Sequence, residues 1–348
     1  MGSAIEDIVH KLGSLKTPTR DDIITLLEAR DPEALFSAAD HVREGCVGNA
    51  VHLRGIVEFS NYCDRNCLYC GLRRGNKALE RYRMTPDEIV AAAREGAKAG
   101  IRTIVLQSGE DHYFKAEVLA EIVIRLKSEF DIAVTVSIGN RTKRDYYTLR
   151  QAGVDRYLLK HETADPELFA RLRPGTTLED RKKRLMWLKE LGFQVGSGNM
   201  IGLPGQTTAT IADDILFMRE LDVEMAGIGP FIPHHSTPLA GQCGGDVTMT
   251  LKTLAVTRLA LPHANLPATT ALATIHPEGR QLALRCGANV IMPDITPVRY
   301  KRMYEIYPNK VCILEDGPTQ CVPDISWMIR QTGRSIAADH GHGKKSWA

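Results

Sequence analysis

Short apolar runs alternate with amphipathic segments along most of the chain. Eight runs carry the β-branched and apolar residues that favour strands, the first beginning at residue 54 and the last at residue 288. Their mean spacing of about 33 residues is that of consecutive βα units. The eight runs cover residues 54–59, 103–108, 133–138, 156–161, 194–201, 226–232, 266–272 and 288–293.

The segments between these runs have the spacing of apolar residues that a helix requires. Most of them end in a glycine, the usual helix stop, as at Gly100, Gly153 and Gly192. Eight alternating units predict an α/β fold, a (βα)8 TIM-type barrel, although a doubly wound open sheet with added strands shares this periodicity. The helical segments cover residues 86–99, 115–129, 143–152, 179–191, 207–221, 248–261 and 278–286.

The two ends of the chain depart from this alternation and set the expected domain boundaries. Residues 19–44 have helical patterns, so residues 1–48 are expected to form an N-terminal helical segment and residues 49–297 the barrel. Residues 298–336 are expected to form a C-terminal extension that closes the barrel. Residues 337–348 lack apolar periodicity and are expected to be a disordered tail.

Composition and charge narrow the possible partners and the compartment. The chain has 348 residues with 44 basic and 42 acidic side chains, so its formal charge of +2 predicts no broad surface for nucleic acid or anionic membranes. No apolar run approaches the ~20 residues of a bilayer span, and the N-terminus lacks the pattern of a signal peptide. Eight cysteines are too few for a disulfide scaffold of this length. We therefore expect a cytoplasmic protein.

Three of the cysteines follow the first strand directly. Cys63, Cys67 and Cys70 stand in SNYCDRNCLYCGLRR with the spacing C-x3-C-x2-C. A loop with this spacing can hold three irons of a 4Fe-4S cluster, and no nearby cysteine serves the fourth iron, which keeps an open coordination site. A structural zinc site is the alternative, but it requires four ligands, and His52 lies on the wrong side of the strand to be one of them. The triplet therefore predicts a catalytic iron-sulfur cluster.

This segment resembles the cluster loop of radical S-adenosylmethionine (SAM) enzymes. The resemblance implies that SAM binds the unique iron through its amino and carboxylate groups and is cleaved reductively to a 5′-deoxyadenosyl radical. It also implies a barrel of the kind that the strand pattern predicts, with the chemistry at the carboxyl ends of the strands.

The ends of the predicted strands carry polar side chains suited to SAM. Glu162 would accept hydrogen bonds from an ammonium group or a ribose, and Arg181 would present a planar fork to a carboxylate. The resemblance assigns SAM contacts to Ser137, Glu162 and Arg181. For any one of these residues taken alone, a solvated or helix-capping role is the plainer alternative. The expected SAM site comprises Tyr69, Gln107, Glu110, Ser137, Glu162, Arg181 and Ile201.

Longer segments resemble one family within this superfamily, the FeFe-hydrogenase maturases of the HydE type. The resemblance implies that the adenosyl radical reacts with a cysteine-bound iron carbonyl cyanide precursor during assembly of the hydrogenase H-cluster. It also implies an electron donor and other hydrogenase maturases as partners. The similar segments extend over roughly residues 45–335 and include LQSGED (106–111), RYLLKHETA (156–164), MIGLPGQT (200–207), GIGPFIPH (227–234), PATTA (267–271) and ANVIMP (288–293).

Polar residues on the predicted strand interiors indicate a substrate pocket beneath SAM. Thr135 and Ser137 share one face of the third strand, and Arg156 opens the fourth. A buried arginine with threonine hydroxyls would bind an anion, either a carboxylate or a cyanide-bearing iron. The alternative is that these groups satisfy one another or bind internal water. The expected pocket residues are Thr135, Arg156, Thr269, Thr270, Met292, Tyr304 and Tyr307.

A possible vestigial second metal site lies near the C-terminus. Some relatives carry a second cluster on three cysteines there, whereas this chain has Cys312 and Cys321, with Asp324 where a third cysteine is expected. Two thiolates and a carboxylate make a poor iron-sulfur site, so we expect this second cluster to be absent or labile.

Three other functions compete with this hypothesis. Biotin synthase-like sulfur insertion needs a second cluster held by cysteines inside the barrel, and the eight predicted strands contain none. A methylornithine synthase-like mutase acting on an amino acid would use an anion-binding pocket equally well. A non-catalytic scaffold that carries an iron synthon would need the pocket but not SAM cleavage.

Overall fold

A barrel of eight parallel strands forms the centre of the structure, a computed structural model that describes residues 7–8, 17–311 and 318–343. The strands in these ranges are β1 (Ala50–Ser60), β2 (Thr103–Ser108), β3 (Ala133–Ser137), β4 (Arg156–Leu158), β5 (Gln194–Ser197), β6 (Met200–Ile201), β7 (Met225–Ala226), β8 (Gly229–Pro230), β9 (Pro267–Ala268), β10 (Val290–Ile291) and β11 (Ser335–Ile336). The barrel strands follow the order β7-β5-β4-β3-β2-β1-β10-β9. A parallel bridge between Met225 and Asn265 closes the circle. The predicted (βα)8 barrel is confirmed.

Helices alternate with the strands and pack around the barrel. They are α1 (Arg20–Leu27), α2 (Glu33–Val47), α3 (Pro86–Lys98), α4 (Ala116–Glu129), α5 (Lys143–Gln151), α6 (Pro166–Leu172), α7 (Leu178–Glu190), α8 (Thr208–Glu220), α9 (Val247–Ala260), α10 (Thr270–Ile275), α11 (Gly279–Arg285), α12 (Val298–Lys301) and α13 (Pro318–Gln331). Thr85 and Thr142 begin α3 and α5 with reciprocal capping boxes, so the local sequence determines these starts. Among the described residues, no helix combines the length and apolar character of a bilayer span.

Several elements differ from the expectation. The fourth and eighth predicted strands are limited to β4 and β10, and the fifth and sixth predicted strands each divide into two short strands. The seventh predicted strand is shorter than residues 266–272, because Thr269 accepts a hydrogen bond from the backbone of Leu272 at 3.4 Å and thereby caps α10. The sequence pattern does not predict α6, whose seven residues are too few for a clear period. Asp165 caps this helix and Pro166 occupies its first turn. Both short helices lie at the carboxyl ends of strands, where they shape the site.

The C-terminal extension contacts both ends of the barrel. At the carboxyl-terminal end, the carbonyl oxygen of Ile306 accepts a hydrogen bond from Gly71 at 2.9 Å. At the amino-terminal end, β11 adds to β1, with Ser335 opposite Ala50. The extension therefore helps to position the segment that follows β1.

Residues 337–343 enter the amino-terminal end of the barrel, so the expectation of a disordered tail from residue 337 is wrong for this segment. Arg54 of β1 donates to the carbonyl oxygen of Gly341 at 3.2 Å, and Arg156 of β4 donates to that of His340 at 2.6 Å. Buried guanidinium groups require acceptors, and the main chain of this segment supplies them. Apolar periodicity gives no sign of such a contact, because backbone oxygens carry it.

Candidate functional site

The cysteine triplet lies on a loop at the carboxyl-terminal end of the barrel, where such folds place their chemistry. Protein contacts determine its conformation. The guanidinium of Arg81 donates to the carbonyl oxygens of Asn61, Leu72 and Arg73. Three backbone hydrogen bonds of 2.9 Å join the loop to the segment after β2, to α6 and to the extension: Asp64 to Glu110, Leu68 to Leu172, and Gly71 to Ile306.

The three thiols lie in an environment that fits an iron-sulfur cluster. Burial, followed by the neighbouring Cys67 and Cys63, raises the pKa of Cys70. Burial is also the largest cause of the raised pKa of Cys63, whose Sγ accepts a hydrogen bond from the backbone of Glu110 at 3.4 Å. Iron binds thiolates and takes the place of these protons, so three adjacent thiols are a suitable donor set. The structure brings the predicted triplet together.

A cavity of about 330 Å³ extends into the barrel beneath this loop, and Cys70 forms part of its wall. Among the described residues, no other cysteine lines the cavity. The cavity is lined by three basic side chains, Lys160, Arg280 and Lys310, and by three carboxyl side chains, Glu58, Glu162 and Asp294.

Glu162 lies at the rim of this cavity in a left-handed backbone conformation with φ of 68°. Its N–H donates to the carbonyl of Gly198 at 2.9 Å, and its carbonyl accepts from Met200 at 3.1 Å. Burial is the largest influence on the carboxyl group and opposes ionisation, but Lys160 and Arg173 nevertheless lower the pKa of Glu162. Its Oε2 has no hydrogen-bond partner within the described ranges. Glu162 therefore presents an ionised acceptor.

Two buried arginines lie near Glu162. Arg173 donates from Nη1 to the phenolic oxygen of Tyr69 at 2.6 Å, and the same nitrogen is 4.0 Å from Oε1 of Glu162. Arg181 is 3 % exposed, and its Nε has no hydrogen-bond partner in the described part of the chain. Burial and then Arg173 lower the pKa of Arg181 to about 10, so it stays cationic at neutral pH. The sequence did not point to Arg173, because it follows the unpredicted helix α6.

The other residues expected at the SAM site lie at the same end of the barrel. Gln107 lines the cavity. Glu110 accepts a hydrogen bond from Nε of Arg65 at 2.6 Å, an ion pair that the sequence did not suggest. Ser137 is half-buried at the end of β3. Ile201 is buried on β6 and is not among the residues that line the cavity.

Four residues of the expected substrate pocket line the cavity, namely Thr269, Thr270, Met292 and Tyr307. Tyr304 is buried outside this lining, with its ring centre 5.2 Å from Nζ of Lys310. Thr135 is buried in β3, and its hydroxyl has no partner within the described ranges. Arg156 lies at the opposite end of the barrel, where it binds His340, so the expected anion pocket around Arg156 is corrected. Arg156 is the first residue of β4 and therefore lies near the amino-terminal end of the barrel.

A buried ionic group in the cavity wall was not predicted from the sequence. Nζ of Lys310 is 2.5 Å from Oε2 of Glu58 and 3.2 Å from Oδ2 of Asp294. Burial and then Asp294 raise the pKa of Glu58. Burial opposes ionisation of Asp294 most strongly, but Lys310 lowers its pKa nonetheless. The group thus joins one ammonium to two carboxyl groups whose pKa values are shifted in opposite directions. Its members are too distant in sequence to form a local pattern.

The possible second metal site falls mostly outside the described residues. Cys312 and the side chain of Cys321 are not among them, and Asp324 is exposed on α13. The expectation of an absent or labile second cluster therefore stays a prediction.

Comparison with known proteins adds sequence relationships to this geometry. The signature of the radical SAM superfamily matches residues 57–218, from β1 into α8. The [FeFe] hydrogenase maturase subunit HydE of Thermotoga maritima is 53% identical over 313 residues, which are 90% of this chain and 89% of that protein. The 3-methylornithine synthase of Methanosarcina barkeri is 31% identical over 80% of each chain.

The solved structures include a close match to the whole fold. The crystal structure of the methylornithine synthase PylB superposes with a TM-score of 0.83 and 27% sequence identity, covering 95% of this chain and 97% of that one. The similarity thus extends through the barrel and most of the flanking segments.

Proposed function

The chain belongs to the radical SAM superfamily and to the family of the [FeFe] hydrogenase maturase HydE, and on that basis we propose that it acts on a cysteine-bound iron carbonyl cyanide precursor of the hydrogenase H-cluster. It is a radical SAM enzyme, and its family implies a 4Fe-4S cluster and SAM as cofactors. When bound, the reduced cluster supplies the electron that cleaves SAM to a 5′-deoxyadenosyl radical. The observation that carries the proposal is that the cysteine loop opens, through Cys70, onto a cavity lined by both acids and bases.

We assign Cys63, Cys67 and Cys70 as ligands of three irons, with SAM on the fourth. The proximity of Cys67 and Cys63 to Cys70 and the backbone hydrogen bond to Cys63 support three clustered sulfur ligands. A tetrahedral zinc site would need a fourth protein donor. The protein would thus supply three thiolates and no fourth ligand, and the hydrogen bonds of the loop would hold the three cysteines in place.

Glu162 and Arg181 are the assigned polar contacts of SAM. Oε2 of Glu162, which is 3.5 Å from Nζ of Lys160 and makes no hydrogen bond within the described ranges, would accept from the ammonium group or the ribose. Nε of Arg181, which also makes no hydrogen bond there, would donate to the carboxylate. Arg173 would act as a positioning residue, because its hydrogen bond to the hydroxyl of Tyr69 holds that side chain beside Glu162 at the rim of the cavity. Gln107, Glu110, Ser137 and Ile201 complete the proposed SAM environment.

The cavity wall suits a substrate that carries an amino acid. Lys310 and Arg280 would face a carboxylate, and Glu58 and Asp294 an ammonium group. The hydroxyls of Thr269, Thr270 and Tyr307 would donate to the cyanide nitrogen, with Met292 as an apolar neighbour.

The family role also suggests where and with what the protein works. A maturase of this kind handles a small-molecule substrate in sequence with other hydrogenase maturases. We propose the cytoplasm as its compartment, because the cysteines of the cluster loop require a reducing environment. We propose that it carries no stable second iron-sulfur cluster, since Asp324 replaces a thiolate.

A second candidate is a methylornithine synthase-like mutase. The 31% identity to 3-methylornithine synthase and the TM-score of 0.83 with PylB favour it. A cavity lined by acids and bases would hold a diamino acid as readily as a cysteine-bound iron complex.

Anaerobic reconstitution separates the two candidates. Protein loaded with iron and sulfide is given SAM with either the synthetic iron precursor or lysine, and adenosyl products are quantified by mass spectrometry. The proposal expects an adenosyl product only with the iron precursor, none from Cys63→Ser, and full yield from Cys243→Ser, which changes an exposed cysteine outside the loop. Turnover of lysine alone would favour the mutase, and no substrate-dependent product would reject the maturase assignment.

A further inference from the structure

The cysteine loop has an outer face as well as the inner face that opens on the barrel cavity. Cys70 belongs to the inner wall, whereas Cys63 belongs to a groove of about 290 Å³ on the outside of the loop. The groove residues are Tyr62, Cys63, Asp64, Arg74, Asn76, Lys77, Leu79 and Arg81. A cluster held by this loop would therefore meet SAM on one side and this groove on the other.

The groove is basic. Arg74 and Lys77 are exposed, and neither forms a salt bridge within the described ranges. The guanidinium of Arg81 donates to four backbone carbonyl oxygens, and no carboxylate pairs with it in the described part of the chain. Asp64 is the one acid among the groove residues, and its Oδ2 is 3.9 Å from Nε2 of His112. Three cations against one exposed carboxylate give this face a positive potential, although the whole chain carries only +2.

Exposed aromatic rings border the groove. The guanidinium carbon of Arg83 lies 3.8 Å from the ring centre of Tyr62 and 4.4 Å from that of Tyr113. Asp111 accepts from Nε of Arg83 at 2.8 Å and fixes this stack. Tyr113 is 66% exposed. Tyrosine and arginine are enriched in protein interfaces and among the residues that carry most of the binding energy.

We propose that this groove is the docking surface for a small acidic electron-transfer protein that reduces the cluster through its Cys63 side. The inference rests on the proposed function, which requires one electron per SAM cleaved. The carrier loses that electron and the cluster gains it, so no further reactant is needed. Entry from the groove leaves the inner face to SAM and substrate, and the positive potential steers an acidic carrier to the correct side of the loop.

Charge reversal in the groove provides the test, with a matched change elsewhere as control. The double variant Arg74→Glu/Lys77→Glu alters two exposed cations that have no assigned role in binding SAM or substrate. The control, Arg102→Glu/Arg330→Glu, makes the same change in net charge at the amino-terminal end of the barrel, where both side chains are exposed. Circular dichroism and iron content check that both proteins fold and carry the cluster.

Binding is measured by isothermal titration of the reconstituted proteins with an oxidised flavodoxin and, separately, an acidic ferredoxin, at low and high salt. The groove variant should bind the recognised carrier at least about tenfold more weakly and lose most of the salt dependence, whereas the control should stay within about twofold of the unmodified protein. Weakening for either carrier supports the surface and identifies the carrier class. If the groove and control variants bind both carriers with equal affinity, the groove is not the docking surface.

Reduction kinetics distinguish failure of this surface from failure of the proposed function. With dithionite, which needs no docking, the groove variant should cleave SAM at the unmodified rate, and with the reduced carrier it should be slower by about tenfold. Equal losses with both reductants would contradict a docking role. If the unmodified protein cleaves no SAM even with dithionite, the proposed function fails, and the binding measurement still decides the surface.

Discussion

Nη2 of Arg156 donates a hydrogen bond of 2.6 Å to the carbonyl oxygen of His340 and so holds the C-terminal segment in the base of the barrel. Arg156 is fully buried, and burial lowers its pKa to about 10. Together with Arg54, it makes the interior of the barrel cationic at its amino-terminal end. The segment of residues 337–343 therefore contributes acceptors that two buried guanidinium groups require.

Replacing this arginine should loosen the base of the barrel. Arg156→Met removes charged hydrogen bonds from a buried site, and the oxygen of His340 keeps the hydroxyl of Thr103, at 2.9 Å, as a donor. We therefore expect the free energy of unfolding to fall by about 2–3 kcal/mol. The exposed Arg102→Met should change it by less than about 0.5 kcal/mol. Urea denaturation measures both values, and hydrogen exchange should rise in residues 337–343 of the first variant. Equal stabilities with unchanged exchange would show that the segment is held by other contacts.

The close approach of the cluster loop to β2 makes Gly109 a sensitive position. A Cβ at Gly109 would lie 2.1 Å from the carbonyl oxygen of Tyr62 and 2.8 Å from Cβ of Cys63. Gly109→Ala should therefore displace the loop and reduce bound iron and sulfide after reconstitution by at least about half. Gly45→Ala, in α2 with no atom near the added carbon, should retain the cluster and gain up to about 1 kcal/mol in stability. Full iron loading of Gly109→Ala would show that the cluster loop tolerates a side chain at this position.

The carboxylate of Glu162 should matter for SAM affinity but not for cluster assembly. Glu162→Gln keeps the size of the side chain and removes an ionised acceptor, so the Kd for SAM should rise about tenfold or more. Glu167→Gln, on the exposed side of α6, should leave it unchanged. Equilibrium binding to reconstituted protein, with iron content measured in parallel, checks this. An unaltered Kd for Glu162→Gln would remove it from the SAM site.

Iron stoichiometry tests the proposed absence of a second cluster. Cys312→Ser/Cys321→Ser should leave about four irons per chain, whereas Cys67→Ser should lose most of them. Elemental analysis after removal of loosely bound metal gives the numbers. A loss of several irons in the first variant would mean that these cysteines hold a cluster after all.

The barrel could be predicted from the sequence because its determinants are local. The run at residues 103–108 is apolar and bounded by turns, and Thr85 and Thr142 mark helix starts through a side chain three residues from its partner. The cysteine triplet is equally local, because spacings of three and two residues are enough to predict a cluster loop. These features follow from short-range rules of period and capping.

The features that the sequence did not reveal depend on contacts between distant segments. Lys310 meets Glu58 across 252 positions, and Arg173 reaches Tyr69 from a helix too short to show a period. Arg156 was expected near the substrate because it is polar and buried. Its depth along the barrel depends on strand register, which no local pattern encodes.

Electron paramagnetic resonance of the reduced, reconstituted protein with and without SAM tests most directly whether the three-cysteine loop leaves one iron for SAM. We expect a reduced 4Fe-4S signal whose g-values shift on addition of SAM, and a smaller shift at the same SAM concentration in Glu162→Gln. A spectrum that SAM does not change, or a loop that binds zinc in place of iron, would contradict it.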